Sequence, residues 1–278
     1  MKPPKPRARR RFGQHFLEAP WVAKLIDEVA PQPDDTFLEI GPGRGVLTLP
    51  LAERAGRVIA VEIDRDLVAH LAPRLPSNVS LVAADFLEAD LVPLLKAVPA
   101  GPERGERRPI RIVGNLPYNV ASPILFRLLD LQAQLPCADA TLMLQREVAD
   151  RLAAKPGTSD YGVLSVLVQL HASVTKLLTL PPGAFRPAPA VTSAVVRLAF
   201  HPPQEPLRDP AGFERLVRSI FTQRRKTLMN ALRGFASGTP LSAKAALAMS
   251  DLDPKRRPQT LEITELARLA DVFASTPG

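Results

Sequence analysis

Short runs of β-branched and other apolar residues alternate with stretches of helical period through the first 200 positions of the chain. Six of these runs predict strands, in the order "TFLEI", "RVIAVEID", "VSLVAAD", "PIRIVGN", "ATLMLQ" and "TSAVVRLAF". Amphipathic helices are predicted over Pro20–Val29, Arg65–Leu75 and Asn119–Leu129, and a further helix follows the first strand after a glycine-rich turn. Strands that alternate with helices form a parallel sheet with helices on both faces, so the pattern predicts an α/β fold.

The pattern changes near residue 200. The proline-rich segment "HPPQEPLRDP" (201–210) predicts a linker, and apolar residues then recur at helical period to the end of the chain. At the other end, "MKPPKPRARRRFG" forms a basic arm that we expect to be disordered on its own. The predicted organisation is an arm (1–13), an α/β domain (14–200), a linker (201–210) and a small all-helical domain (211–278).

The composition adds a basic balance and a shortage of metal ligands. The 278 residues carry a net charge of +8, which favours a polyanionic partner because phosphates attract Lys and Arg. The single cysteine, Cys137, excludes an intramolecular disulfide and a multi-cysteine zinc site. His70, His171 and His201 stand isolated, so no metal is predicted. No apolar run approaches the roughly 18–20 residues of a membrane helix, and no signal-peptide core follows the basic N-terminus. We therefore expect a cytoplasmic protein with no membrane partner.

A glycine-rich loop joins the first strand to its helix. The stretch "LEIGPGRG" places Glu39, Gly41, Gly43 and Gly45 there, and glycine lets the backbone approach a ligand without a Cβ clash. The dinucleotide fingerprint G-x-G-x-x-G is not matched, because Val46 occupies its sixth position. The Glu39 carboxylate is unfavourable beside a pyrophosphate but favourable beside a cation. The loop therefore predicts S-adenosylmethionine, a sulfonium with an amino acid tail, while a glycine-rich turn without a ligand is the alternative.

Acidic residues follow the second and third predicted strands. Glu62 ends the second strand, and a carboxylate there can accept both ribose hydroxyls of a ligand bound at the carboxyl ends of the strands. Asp64 is the alternative for this role. Asp85, after the third strand, can accept a hydrogen bond from an exocyclic adenine amine, with Phe86 or Ile63 packing on the ring. Three strand ends with suitable polar groups together predict an adenosyl ligand.

The fourth strand ends in "NLPY", beside the expected methyl donor. An exocyclic NH₂ of adenine or cytosine is a poor nucleophile, because its lone pair is delocalised into the ring. The Asn115 side-chain oxygen and the Leu116 carbonyl offer two acceptors for its two N–H bonds, and Pro117 restricts the backbone that aims the carbonyl. Tyr118 offers a flat face on which an extruded base can stack. An ordinary Asn-Pro turn is the alternative to this site.

Six motifs resemble, in order, those of the ribosomal RNA adenine-N6 dimethyltransferases, over residues 12–234. They are "GQHFL" (Gly13–Leu17), "EIGPGRG", "VEID", "AADF", "GNLPYNVASPIL" and "FRPAPAVTSAVV" (Phe185–Val196). The resemblance implies a Rossmann-like S-adenosylmethionine-dependent methyltransferase sheet followed by a small all-helical C-terminal domain. The cofactor contacts that it implies are His15, Leu17, Gly41, Glu62, Asp85 and Asn115. The catalytic and base-holding residues that it implies are Asn115, Leu116, Tyr118 and Phe185. His15 stands where asparagine is common in that family.

The resemblance also implies a substrate and a setting. The family product is N6,N6-dimethyladenosine at two adjacent adenosines of a hairpin near the 3′ end of small-subunit (16S) rRNA, here in a pre-30S particle. Leu116 and the helix Phe221–Leu232 resemble the small-subunit branch of the family. The alternatives are a large-subunit (23S) enzyme and a non-catalytic RNA-binding assembly factor. Basic clusters at Arg224–Lys226 and Lys255–Arg257 predict an RNA footprint, and we expect a monomer.

Overall fold

The computed structural model describes residues 15–97, 109–203 and 206–275, so the predicted arm (1–13) lies outside the described residues. The chain divides into two compact units. The first comprises Met1–Ala149 with Ser173–Phe200, and the second comprises Asp150–Ala172 with His201–Gly278. The predicted boundaries differ from this division, because they assigned 150–172 to the α/β domain. The physical reason is packing within the second unit, where the Tyr161 hydroxyl donates to the Leu261 carbonyl at 3.1 Å.

The strands and helices of the described residues are numbered in the order in which they follow one another along the chain. The strands are β1 (Phe16–Leu17), β2 (Thr36–Ile40), β3 (Arg57–Glu62), β4 (Val79–Ala83), β5 (Ile110–Asn115), β6 (Cys137–Gln145), β7 (Ala172–Leu180), β8 (Phe185–Arg186) and β9 (Ser193–Phe200). The helices are α1 (Ala19–Val29), α2 (Thr48–Arg54), α3 (Arg65–Leu71), α4 (Val92–Lys96), α5 (Ala121–Gln132), α6 (Arg146–Leu152), α7 (Val163–Gln169), α8 (Pro210–Phe221), α9 (Leu228–Ala236), α10 (Ala243–Met249) and α11 (Ile263–Ala274).

A seven-stranded sheet forms the centre of the first unit, in the order β4-β3-β2-β5-β6-β9-β7. The pairs β2–β3, β3–β4, β2–β5 and β5–β6 are parallel, whereas β9 runs antiparallel to β6. All six predicted strands are present, as β2 to β6 and β9, and the predicted α/β class is confirmed. Strands β2 and β3 bury nearly every residue, as central parallel strands with helices on both faces do.

The register aligns the carboxyl ends of the parallel strands. Ile40, the last residue of β2, pairs with Val61 of β3 on one side and with Gly114 of β5 on the other. Asn115, the last residue of β5, pairs with Met143 of β6. Side chains just beyond these strand ends therefore meet at one edge of the sheet, as the sequence predicted.

The opposite end of the sheet is held together by Arg111 near the start of β5. Its guanidinium contacts Asp139 Oδ2 at 2.9 Å and Asp35 Oδ2 at 2.8 Å, and it donates to the Val29 carbonyl at 2.8 Å. Charge-assisted hydrogen bonds of this kind are among the stronger polar interactions in proteins. The network joins β5, β6 and α1 away from the carboxyl edge.

The second unit is built mainly from helices. Helix α8 begins at Pro210, where the Asp209 side chain accepts from the Gly212 N–H at 2.9 Å and proline fits the first helical turn. The predicted linker (201–210) therefore ends where α8 starts. Of the residues that the structure describes, no helix is both long and apolar enough to span a membrane.

Candidate functional site

A cavity in the first unit lies at the carboxyl ends of β2, β3, β4 and β5. Its lining contains eight of the nine predicted site residues, namely His15, Leu17, Gly41, Glu62, Asp85, Asn115, Leu116 and Tyr118. These residues come from five separate stretches of sequence. The aligned strand ends bring them together, and ligands of open α/β sheets bind at such an edge.

The glycine loop after β2 forms one wall of the cavity. Gly41, Gly43 and Gly45 have φ angles of +67°, +58° and +79°, a region that favours glycine. A Cβ on Gly43 would lie 3.1 Å from a ring carbon of Phe16, whereas a Cβ on Gly41 would meet no atom within 4 Å. Gly41 therefore presents bare backbone to open space, where a ligand can approach it closely.

Glu62 is buried at the end of β3 and accepts two backbone hydrogen bonds. Its Oε2 accepts from the Gly43 N–H and its Oε1 from the Asp64 N–H, both at 2.9 Å. Burial raises the pKa of Glu62, although these hydrogen bonds oppose the effect. Asp64 accepts from the Asp66 N–H at 3.0 Å and so caps α3. The geometry favours Glu62 over Asp64 as the residue that meets a ligand, because Glu62 lines the cavity, Asp64 is not part of the lining, and each Glu62 oxygen retains a second lone pair.

Glu39, which precedes the glycine loop, is a second carboxyl group in the cavity wall. Its side chain is 1% exposed, and its Oε2 has no hydrogen-bond partner among the described residues. Burial raises the pKa of Glu39 to about 7; the Thr48 hydroxyl opposes this change and the nearby Glu62 adds to it. A buried carboxylate of this kind is costly unless a cation lies beside it.

Asp85 and two apolar residues form the third strand end of the cavity. Asp85 Oδ1 accepts from the Leu87 N–H at 2.9 Å, which fixes the carboxylate and leaves Oδ2 for another donor. Phe86 is buried and Ile63 is about half exposed, and both line the cavity. An apolar wall beside a fixed carboxylate suits a flat ring that carries an amine.

The Asn115 side chain has a defined orientation at the end of β5. Its Nδ2 donates to the backbone carbonyl of His15 at 2.6 Å. A carbonyl oxygen can only accept, so the NH₂ end must face His15, and Oδ1 is left as an acceptor. The next residue, Leu116, is anchored by its N–H, which donates to the Met143 carbonyl at 3.1 Å.

Tyr118 is held by two further contacts. Its hydroxyl lies 2.5 Å from the Ser193 hydroxyl oxygen, and its ring stacks with His15 at a centroid distance of 5.7 Å and an interplanar angle of 24°. The His15 Nδ1–H in turn donates to the Pro187 carbonyl at 2.8 Å. The sequence did not single out Ser193; its only signal was its place in the stretch "FRPAPAVTSAVV".

Phe185 is the predicted site residue that does not line the cavity. It is 1% exposed and packs in the core with Leu17, Val113, Met143 and Val195. Its backbone pairs with Leu17 in the short β1–β8 ladder. Phe185 therefore lies beside Leu17 but is not part of the cavity lining that contains the other predicted site residues.

The second unit carries a basic surface that combines both predicted clusters. The Leu228 N–H donates to the Arg256 carbonyl at 2.6 Å and the Met229 N–H to the Pro254 carbonyl at 3.2 Å. These bonds hold the segment 253–257 against the start of α9. The exposed side chains of the combined surface are Arg224, Arg225, Lys226, Lys255 and Arg257.

Two arginines of the predicted clusters have internal roles. Arg224 Nη1 donates to the Ser159 carbonyl at 2.9 Å, and Arg256 Nη2 donates to Glu265 Oε2 at 3.0 Å. The Arg256 contact lowers the pKa of Glu265 against the opposing effect of burial. Both side chains contribute to the folding of the second unit; Arg256 is partly buried, whereas Arg224 also remains exposed to solvent.

Comparisons with known proteins cover nearly the whole chain. A family model described as "Ribosomal RNA adenine dimethylase" matches residues 5–271. The chain is 42% identical to "Ribosomal RNA small subunit methyltransferase A" of Aromatoleum aromaticum over 272 residues, 97% of this chain and 95% of the relative. It is 45% identical to the protein of the same name from Anaeromyxobacter sp. strain K over 264 residues, 95% of this chain and 92% of the relative.

Solved structures give the same picture of the fold. A dimethyladenosine transferase from Plasmodium falciparum is similar with a TM-score of 0.72 and 23% identity, over 92% of this chain and 96% of that chain. The 23S rRNA methyltransferase ErmE is similar with a TM-score of 0.63 and 28% identity, over 94% of this chain and all of that chain.

Proposed function

Because this chain belongs to the ribosomal RNA adenine dimethylase family, we propose that it dimethylates N6 of two adjacent adenosines in a hairpin near the 3′ end of small-subunit rRNA. It is an S-adenosylmethionine-dependent rRNA adenine-N6 dimethyltransferase with a Rossmann-like sheet. The observation that carries the proposed chemistry is the orientation of Asn115, whose Nδ2 is bound to the His15 carbonyl and whose Oδ1 is thereby left to accept.

The cavity has features that fit S-adenosylmethionine. The cofactor supplies a methyl group on a positively charged sulfonium when it is bound. The buried Glu39 Oε2, which has no hydrogen-bond partner in the described part of the chain, suits a nearby cation, and the open space over Gly41 suits the methionine end. Glu62 would accept the ribose hydroxyls and Asp85 the adenine amine. His15 and Leu17 would complete the wall on the side of the N-terminal segment.

Two acceptors at the end of β5 would activate the target amine. The Asn115 Oδ1 and the Leu116 carbonyl each accept one N–H of the adenine NH₂, which concentrates electron density on its nitrogen. As positive charge develops on that nitrogen, the same two acceptors stabilise it. No strong base is then needed, because the methylated nitrogen is acidic and releases its proton afterwards.

Dimethylation requires the target amine to be accepted again after its first methyl group has been added. Leu116, Val120, Ile124 and Met143 line the cavity near Tyr118 with apolar groups. An apolar wall can accommodate the methyl group by packing against it, while the remaining N–H keeps one of the two acceptors and the other loses its donor. We propose that this wall holds the monomethylated adenine for the second transfer.

Tyr118 would provide the stacking face for the extruded base, and base–aromatic stacking contributes about 1–3 kcal/mol per base. Phe185 was expected to flank the base from the other side. Its enclosure in the core leads us to propose a different role, in which it supports the β1–β8 ladder that carries His15 and Leu17.

Ribosomal RNA would reach the protein through the basic surface of the second unit as well as through the cavity. Arg225, Lys226, Lys255 and Arg257 are exposed, and structured RNA is recognised mainly through its shape and phosphates. We propose a pre-30S particle as the form of the substrate, a monomeric enzyme and a cytoplasmic location, where ribosomal subunits are assembled.

The substitution Asn115→Ala tests the proposed chemistry. We expect methyl transfer to fall by about 100-fold to 1,000-fold, the loss typical of removing one group that stabilises developing charge, while RNA binding changes little. Single-turnover methylation of small-subunit particles and filter binding measure the two quantities. Methyl transfer at the wild-type rate would show that Asn115 does not have this role.

The branch of the family is tested by the choice of RNA. The relatives at 42% and 45% identity carry small-subunit names, whereas ErmE, at 28%, is a 23S rRNA methyltransferase. We expect methylation of 30S particles and none of naked 23S rRNA. RNA binding without methylation of either substrate would instead indicate a non-catalytic assembly factor.

A further inference from the structure

Tyr118 and Ser193 are joined by a hydrogen bond that links two distant parts of the first unit. Their hydroxyl oxygens lie 2.5 Å apart, and the two residues are separated by 75 positions in the sequence. Ser193 is completely buried, and Tyr118 is half-buried in the cavity wall. Burial raises the pKa of Tyr118, so the phenol keeps its proton near neutral pH and either hydroxyl can be the donor.

The sheet places Ser193 at a fixed distance from the segment Asn115–Tyr118 at the end of β5. Ser193 is the first residue of β9 and pairs with Gln145, the last residue of β6. The same strand β6 pairs through Met143 with Asn115 on one side and with Val195 on the other. One strand therefore sets the position of both the residue that holds Tyr118 and the residue that accepts from the target amine.

We propose that Ser193 is a positioning residue that fixes the ring of Tyr118 in the orientation required for stacking the target adenine. This inference rests on the proposed function, because it takes Tyr118 to be the stacking face. The ring of a half-buried tyrosine can rotate about its side-chain bonds when its hydroxyl is not anchored. Ser193 restricts that rotation from the far end of the ring, where it does not occupy the stacking face.

The hydrogen bond between Ser193 and Tyr118 should affect the rate of methyl transfer more than it affects the affinity for RNA. The methyl group and the target nitrogen must be aligned within a fraction of an ångström for efficient transfer. A ring that rotates presents the base in several orientations, of which only some are productive. Structured RNA binds mainly through its phosphates, so the loss of the anchor should leave the affinity for RNA almost unchanged.

A double-mutant cycle tests this assignment. Ser193→Ala and Tyr118→Phe each remove one hydroxyl, and Tyr118→Phe keeps the ring. We expect each single variant to lower the single-turnover methylation rate by about 3- to 10-fold, the size expected for one hydrogen bond. The double variant should lose no more than either single variant, and the KM values for RNA and cofactor should stay within about twofold.

Thr141→Val is a matched control, since Thr141 is another buried hydroxyl of the same sheet and its Oγ1 has no partner among the described residues. We expect it to leave the methylation rate unchanged. Losses that multiply in the Ser193/Tyr118 double variant, or single variants with the wild-type rate, would overturn the inference. If Ser193→Ala does not fold, Tyr118→Phe alone still has to show the reduced rate.

Tyr118→Ala separates this inference from the proposed function. It removes the ring, so it should lower methylation much more than Tyr118→Phe does. A wild-type rate in Tyr118→Ala would refute the stacking role itself. A large loss in Tyr118→Ala together with wild-type rates in Ser193→Ala and Tyr118→Phe would refute only the positioning role of Ser193.

Discussion

Glu39→Gln tests whether the buried carboxyl group beside the glycine loop is kept for a cation. Burial raises its pKa from 4.5 to about 7. A carboxyl group with a raised pKa in the folded state retains its proton longer than it does in the unfolded chain. Its ionisation therefore opposes folding as the pH rises from about 4.5 through 7, and the full cost is present above pH 7. Glutamine has no such titration.

The size of the effect follows from the shift in pKa. Each pK unit corresponds to 1.36 kcal/mol, so the difference between 4.5 and about 7 corresponds to about 3 kcal/mol at high pH. Part of this cost is already present at pH 5, where the unfolded carboxyl is mostly ionised. Between pH 5 and pH 8 the wild type should lose about 2–3 kcal/mol more stability than Glu39→Gln. This corresponds to about 4–12 °C in Tm for a chain of this size.

The assay is thermal unfolding of the cofactor-free protein at pH 5 and pH 8. The comparison of two pH values removes the constant cost of burying a glutamine amide, which is the same at both. Glu53→Gln serves as the control, because Glu53 is exposed on α2 and its loss changes the net charge equally. Equal Tm differences between wild type and Glu39→Gln at the two pH values would refute the reasoning.

The titration of Glu39 should also make the affinity for the cofactor depend on pH. A cation beside Glu39 favours its ionised form, so the affinity for S-adenosylmethionine should increase from pH 6 to pH 8. Glu39→Gln should bind the cofactor more weakly and with a flatter pH profile. Calorimetry at pH 6 in two buffers of different ionisation enthalpy should also detect proton release on binding to the wild type but less to the variant.

Two further predictions concern His15 and the basic surface. His15→Ala removes the imidazole that stacks on Tyr118 but keeps the carbonyl that orients Asn115. Because the imidazole no longer competes with a base for the Tyr118 ring, we expect the KM for RNA to fall about 2- to 10-fold in steady-state assays. A higher KM for the cofactor with an unchanged KM for RNA would show instead that the side chain contacts the cofactor. Replacing Arg225 and Lys226 together by alanine should weaken RNA binding and reduce the slope of the logarithm of the RNA association constant against log[salt] by about two. An unchanged slope in filter-binding assays would show that RNA binds at another surface.

The strands of the sheet could be predicted where burial on both faces gives a continuous apolar run in the sequence. Strands β2 and β3 lie between helices, so they appear as continuous apolar runs. Strand β7 was not predicted, because most of its positions are partly or fully exposed and it contains Lys176. The segment 150–172, which was predicted to belong to the α/β domain, falls in the second unit of the structure. Helical period shows that one face is buried but not which part of the chain buries it.

The cavity could be predicted to the extent that it consists of strand ends. Parallel strands align their carboxyl ends, so Gly41, Glu62, Asp85 and Asn115 had to meet once the strands were identified. Ser193 could not be found in this way, since its contact with Tyr118 depends on an antiparallel strand whose partner the sequence does not specify. Phe185 lies outside the cavity lining, which the motif could not indicate, because a motif gives a position in the chain and not the direction of a ring.

His15 shows how a residue that departs from its family's common asparagine can still fit this site. Asn115 is oriented by the His15 backbone carbonyl, which any residue would supply if the β1–β8 ladder holds the main chain in place. The side chain has a separate set of contacts, with the Tyr118 ring and the Pro187 carbonyl. The orientation of the Asn115 amide therefore does not depend on which side chain stands at position 15. A change at this position should instead alter how readily the face of Tyr118 becomes available to a base.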